Sequence, residues 1–228
     1  MAQCGQSFGD ALADAQALGY AEADPTADVE GIDACRKICI LADLSFGHNI
    51  PPAKVKTQGI TCVDGIDSAF AADFGCSIKL LGHTILGEDG KVTTFVAPHL
   101  VPNSALLANV KGVMNAVVVR GDSVGECLFY GAGAGRYPTA SAMVGDIMDC
   151  VRHSEGCRYI DWGEEMPEKQ ADSDACASRW YVRYAGEAVE AQAQREGQKA
   201  VITEAMSAYE MRDRFGEENI LSAFRVLD

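Results

Sequence analysis

The stretch SIKLLGHTILGEDGKVTTFVAP, residues 77–98, decides the fold. Its first half is an apolar run of 77–86, and Glu88-Asp89-Gly90 supplies a turn before 91–98 runs back with Val, Thr and Phe. Two extended runs joined by a short Gly-bearing turn form an antiparallel hairpin, because that connection is too short for a crossover. The same grammar recurs downstream: 112–120 is rich in valine, Gly121-Asp122 turns the chain, and 124–130 returns. Two hairpins predict a sheet that is mainly antiparallel, with residues 55–63 as a further extended piece.

Helical periodicity surrounds these strands. Phe8, Leu12, Ala15 and Leu18 fall about one turn apart, and Gly19 follows as a C-cap. Ile32, Cys35, Ile38, Cys39, Leu41 and Ala42 repeat with helical spacing, so 31–47 reads as a largely buried helix ended by Gly47, with 48–52 as a turn. Residues 67–74 and, from Pro138, 138–152 are also helical in pattern.

At 153–176 Gly, Glu, Asp and Ser become dense and apolar periodicity stops, which reads as a linker or long surface loop. Beyond it, 178–184, 199–205 and 220–227 are strand-like, while 187–195 and 208–215 are helical in pattern. The expected fold class is α+β: a mixed, mainly antiparallel sheet covered by helices on one face, followed by a small α/β module. The expected division is a domain at 1–155, a linker at 156–176 and the module at 177–228.

Composition narrows the function. With 33 acidic against 19 basic residues the net charge is −14, and no basic stripe offsets it, so a phosphate backbone is repelled and nucleic acid is excluded as the expected partner. No window approaches the roughly 18 apolar residues of a membrane span. The first residues, Met1-Ala2-Gln3-Cys4-Gly5, show no basic segment followed by an apolar one, and the expected compartment is the cytoplasm. Nine cysteines, an odd number with no Cys-x-x-Cys pair, read as thiols, several of them small hydrophobes, and His48, His83, His99 and His153 are too scattered for a zinc site. No metal is expected.

Residues 19–37, GYAEADPTADVEGIDACRK, hold five carboxylates and end on Arg36-Lys37. If a helix begins near Gly31, Asp33 and Lys37 lie four apart on one face with the acid N-terminal to the base, the favourable order for a helical ion pair. Two readings stand at this point. One is an ordinary surface pair beside a solvated acidic loop. The other is a pocket for a cationic substrate, in which Glu22 and Asp28 receive an ammonium and Lys37 faces the atom that loses its proton. A second candidate is 131–141, GAGAGRYPTAS, where glycines at a helix start either let a ligand approach the backbone or form a tight turn. It matches neither a Walker loop nor a Gly-x-Gly-x-x-Gly fingerprint.

Those two segments carry a resemblance. GYAEADPTADVEGIDACRK, together with LANVKGVMNAVVVRGDSVGECLFYGAGAGRYPTASAMVGDIMD, resembles homoserine dehydrogenase over about residues 5–152. The resemblance implies interconversion of homoserine and aspartate semialdehyde with NAD or NADP, and a homodimer. It implies that Glu22, Asp28 and Asp33 contact the substrate, that Lys37 with Asp33 does the proton work, and that Gly133 and Gly135 lie near the cofactor. Members of that family open with a nucleotide-binding Rossmann domain that is not found in this sequence, so the expectation is the substrate and dimerisation portion of a longer enzyme, or one half of a split gene, with little or no turnover by itself. The tail, 178–228, resembles the ACT modules of bacterial relatives but lacks the Asp-x-Pro-Gly-Val turn, with Ala185-Gly186-Glu187-Ala188-Val189 in its place, and shows one strand too few. The rival readings are a non-catalytic amino-acid-binding module and a purely oligomerising one.

Overall fold

The structure, a computed structural model, describes residues 8–19, 23–47, 49–156, 163–186 and 190–228. In chain order its elements are helices α1 (Phe8–Ala17), α2 (Thr26–Val29) and α3 (Ile32–Phe46), strand β1 (Lys56–Thr57), helix α4 (Gly65–Asp73), strands β2 (Cys76–Leu86), β3 (Val92–Pro102), β4 (Met114–Gly121) and β5 (Gly125–Ala132), and helix α5 (Arg136–Arg152). The tail adds β6 (Trp180–Tyr184), β7 (Ala193–Arg195), β8 (Gln198–Ile202), α6 (Ala208–Phe215) and β9 (Ile220–Val226).

The opening stretch forms the expected hairpin. β2 and β3 pair antiparallel over their whole length, from Cys76 opposite Pro102 to Leu86 opposite Val92. β3 runs on to Pro102, four residues past Pro98, where the expected extended run ends. Pro98 falls between the part of β3 that pairs with β1, at Phe95 and Val96, and the part that pairs with β9, at His99 and Leu100. A proline without an N–H is tolerated in such a gap between neighbours. β4 and β5 form the second hairpin as a separate two-stranded sheet.

The large sheet runs β1-β3-β9-β6-β8-β7, with β2 on the other side of β3. Only the β1–β3 and β3–β9 pairings are parallel, so the sheet is mixed and mainly antiparallel. The tail strands therefore lie in the same sheet as the hairpin that decides the fold. On one face, α3 buries Cys35, Ile38, Cys39 and Ala42 against Val92, Val96 and Leu80, and α4 buries Phe70 and Ala71 among Leu100, Tyr181, Phe224 and Val226. Alternation then exposes Trp180, Val182 and Tyr184 on the opposite face, where α6 covers them with Ala208, Met211 and Phe215. Helices thus cover one face along β2 and β3, and α6 covers the other at the tail.

Two segments differ from their sequence patterns. Residues 163–176 are not loose: Asn49 bridges Glu165, Val92 bridges Gln170, and the Ala171 N–H donates to the Val92 carbonyl at 3.0 Å. This strap hydrogen-bonds through isolated bridges rather than a ladder, so it carries no periodic signal. Residues 193–195, within the run 187–195 read as helical, are instead strand β7, joined to β8 by the two-residue turn Glu196-Gly197 with φ of 50° and 76°. Positive φ at both central residues gives the hairpin twist that the flanking strands require. β7 is the strand the sequence reading of the tail had missed.

A buried charge cluster joins α4 to β6. Asp67, fully buried, accepts from Arg183 Nε at 2.7 Å, Arg183 Nη2 at 3.1 Å, Tyr181 Oη at 2.8 Å and the Asp64 N–H at 3.0 Å. Every acceptor direction of the carboxylate is engaged, which is what a charge at that depth requires. Among the described residues no helix is long and apolar enough to cross a membrane.

Candidate active site

The acidic loop is shaped by its own backbone. Asp24 accepts from both the N–H and the hydroxyl of Thr26, at 3.1 and 2.6 Å, which opens the one-turn helix α2 and holds the Asp24 carboxyl below its usual range. Asp24 is thus occupied locally. Asp28 and Glu30 remain exposed.

Two glycines fix where α3 starts. Gly31 has φ 75°, a left-handed conformation that L side chains disfavour, and a Cβ there would sit 3.3 Å from both Thr57 Cγ2 and Val96 Cγ1. Gly59 is packed tighter, since its Cβ would fall 2.3 Å from the Val29 carbonyl oxygen. The Ile60 N–H also donates to that carbonyl at 2.8 Å. The segment 57–60 therefore grips the acidic loop at Val29 and Glu30.

Asp33 lies in the first turn of α3 and Lys37 one turn on, and Lys37 Nζ meets Asp33 Oδ2 at 2.6 Å. Cys35, Ile38 and Cys39 point into the core on the same helix, so Lys37 is forced outward, and its side chain keeps 58% of its exposure. A carboxylate one turn before a lysine holds the ammonium at a fixed position while leaving it open to solvent and ligand. Asp33 and Lys37 meet on α3, and Asp28 is exposed on α2, the helix before it. Glu22 lies outside the described residues.

Gly133 and Gly135 belong to a different unit. They connect β5 to α5, and Gly135 caps α5 with φ 112°. No atom lies close above Gly131, and above Gly135 only the ring of Pro138 comes within 4 Å, so the backbone is open at those two positions, whereas a Cβ at Gly133 would overlap the Asn115 side-chain amide that packs on it. α5 buries none of its residues although Tyr137, Val144, Ile147, Met148 and Val151 recur at helical spacing. The hairpin beside it exposes Val119, Leu128, Phe129 and Tyr130. Apolar stripes of this kind are made to be covered. Among the described residues no group of His, Cys, Asp and Glu is arranged to hold a metal.

Sequence reasoning missed one feature, a second gathering of charge where β1 and β3 meet the tail. Lys56, Asp174, Arg212 and Arg225 converge there from four segments far apart in the chain. No local motif joins them, and Asp174 sits in the stretch that read as a linker.

The family model for homoserine dehydrogenase matches residues 1–148. The homoserine dehydrogenase of Pseudomonas aeruginosa is 46% identical over 190 residues, covering 80% of this chain and 44% of the relative. The crystal structure of a homoserine dehydrogenase from Thiobacillus denitrificans superposes on 100% of this chain and 60% of its own, with 33% identity and a TM-score of 0.81. A hyperthermophilic archaeal homoserine dehydrogenase, solved in complex with NADPH, covers 65% of this chain and 41% of its own at 32% identity and a TM-score of 0.51. The chain spans less than half the length of the curated relative and about three fifths of the Thiobacillus one. On the family model and these relatives together, the chain belongs to the homoserine dehydrogenase family.

Proposed function

We propose that this chain supplies the substrate-binding and catalytic part of an NAD- or NADP-dependent dehydrogenase that interconverts homoserine and aspartate semialdehyde. The observation that carries this reading is the Lys37–Asp33 pair at the solvent-facing start of α3, beside exposed Asp28. Carboxylates at that corner suit the substrate's ammonium, with Glu22 and Asp28 as its receivers. Lys37 as the neutral amine takes the proton from the hydroxyl as the carbonyl forms, and the ammonium so made, held in place by Asp33, returns the proton to that oxygen in the reverse direction. The nicotinamide, when bound, accepts or supplies the hydride.

The open backbone of Gly135 at the head of α5, with Gly133 beside it packed under the Asn115 amide, is where this chain would touch that dinucleotide, and NADPH in the archaeal relative supports the cofactor class. The uncovered stripe of α5 and the exposed β4–β5 hairpin support a homodimer and a nucleotide-binding domain as their covers. The tail, in the order β6, β7, β8, α6 and β9, has the four strands and the second helix of an ACT-like βαββαβ module but, among the described residues, not its first helix, and the reading places the protein in the cytoplasm.

The test supplies the N-terminal nucleotide-binding portion of the Pseudomonas relative as a separate chain and follows homoserine-dependent nicotinamide reduction. Activity that appears only with both chains supports the proposal. Silence with both chains folded and associated would favour an amino-acid-binding or oligomerising module without chemistry.

A further inference from the structure

The charge cluster that the α3 site does not use surrounds a cavity of about 280 Å³ between β1 and β3 on one side and the strap, α6 and β9 on the other. At about 30 Å³ per water that space equals roughly nine waters, room for a small organic molecule. Its walls combine apolar Phe95, Trp180, Met211 and Phe224 with charged and polar side chains.

The charges around it do not balance. Asp174 is already held on both oxygens by Lys56 at 2.6 Å and by two Arg212 nitrogens at 3.0 Å. Arg225 is 5% exposed and stacked between the Phe95 and Trp180 rings at 4.5 Å from each centroid. Its hydrogen bonds run to neutral acceptors, the carbonyls of Cys176 and Ser173 and the Ser178 hydroxyl. Among the described residues no carboxylate contacts the Arg225 guanidinium, and burial pushes its pKa down. Glu217, the other acid of the lining, forms no ion pair with any of these cations among the described residues. A buried guanidinium is costly without an anion in contact, and the carboxylate that acts on Arg225 without touching it, Asp174, is already held by Lys56 and Arg212, so the three cations of the lining face two carboxylates, Asp174 and Glu217. Lys56 and Arg212 also retain unused donors.

We propose that this cavity binds a small organic carboxylate, its anionic end met by Lys56, Arg212 and Arg225 and its apolar part lying against Phe95 and Trp180. The site is separate from Lys37 but shares a wall with it: Val96 and Gln58 line the cavity and also abut Gly31, where α3 begins.

The test uses three ligands of one shape and different charge: benzoate, benzyl alcohol and benzylammonium, with inorganic phosphate as a fourth arm, read by Trp fluorescence and thermal shift. Benzoate is expected to bind saturably and raise the melting temperature, while the alcohol, the ammonium and phosphate bind at least tenfold more weakly. Lys56→Gln and Arg212→Gln, each shown folded by circular dichroism, should weaken benzoate at least tenfold, and Glu217→Gln should tighten it. Equal binding of benzylammonium or benzyl alcohol, binding of phosphate alone, or unchanged benzoate affinity in both cation variants would overturn the proposal.

Discussion

Replacing Gly59 by alanine tests how the acidic loop is held. The added methyl would lie 2.3 Å from the Val29 oxygen, 2.5 Å from Glu30 Cα and 3.0 Å from the Glu30 carbonyl carbon. Comfortable carbon contacts begin near about 3.5 Å, so the loop must retreat by roughly 1 Å, and all three atoms are backbone that cannot rotate aside. That retreat stretches the Ile60 to Val29 hydrogen bond, now 2.8 Å, a loss of about 0.5–1.5 kcal/mol. Overpacking adds about 1–3 kcal/mol, and the stiffer unfolded chain returns about 0.4–1 kcal/mol. The expected net destabilisation is about 2–3 kcal/mol, measured by urea unfolding as a lower midpoint at unchanged m. Gly65→Ala is the control, because a Cβ there meets nothing within 4 Å at the start of α4, and it should be neutral or stabilising by up to about 1 kcal/mol. A Gly59→Ala protein within about 0.5 kcal/mol of the parent would refute the claim that 57–60 fixes this loop.

Asp67→Asn should cost about 3–5 kcal/mol in urea unfolding, because it leaves the Arg183 guanidinium buried with only exposed Asp64 as its ionic partner; a loss under about 1 kcal/mol would show that the cluster carries little. Acid should unfold the protein partly through its stacked histidines, His83 and His99, whose rings lie 4.6 Å apart. Burial pushes His83 down to about 4, helped by Arg225 and Arg120, and His99 down to about 3, helped by His83 and Arg225. Since the unfolded histidines take protons first, at about 6.5, the stability is complete above that pH and is lost as pH falls toward 4. That amounts to about 1–2 kcal/mol per histidine between pH 7 and 5. His99→Gln should flatten this limb of the unfolding midpoint against pH, and an unchanged slope would contradict the assignment.

Much of the fold was legible because its signals are local. Apolar spacing with Gly31 and Gly47 at the ends marks α3, and the Asp89-Gly90 and Gly121-Asp122 turns mark the two hairpins. The Asp33–Lys37 contact followed from helical spacing alone. What sequence left hidden is non-local. β7 consists of residues that favour helix, yet pairing with β8 and the Arg195–Asp73 ion pair draw them into the sheet. The β7–β8 turn was obscured because Glu196, not Asn or Asp, takes the left-handed position. The strap gives no pattern because its bonds reach to Asn49 and Val92, and the Lys56–Asp174–Arg212 cluster joins residues over a hundred positions apart.

The central claim is that Lys37 moves the proton of the reacting oxygen, and one measurement reaches it directly. Turnover of aspartate semialdehyde is followed by NADPH oxidation in the chain complemented with a nucleotide-binding portion, for the parent and for Lys37→Ala. Because Lys37 is exposed and contributes nothing to the core, the variant should keep its circular dichroism and its association while kcat falls by about 10²–10⁴. A folded, associated Lys37→Ala enzyme that turns over within about threefold of the parent, against the loss of about 10²–10⁴ that general acid–base catalysis implies, would contradict the account.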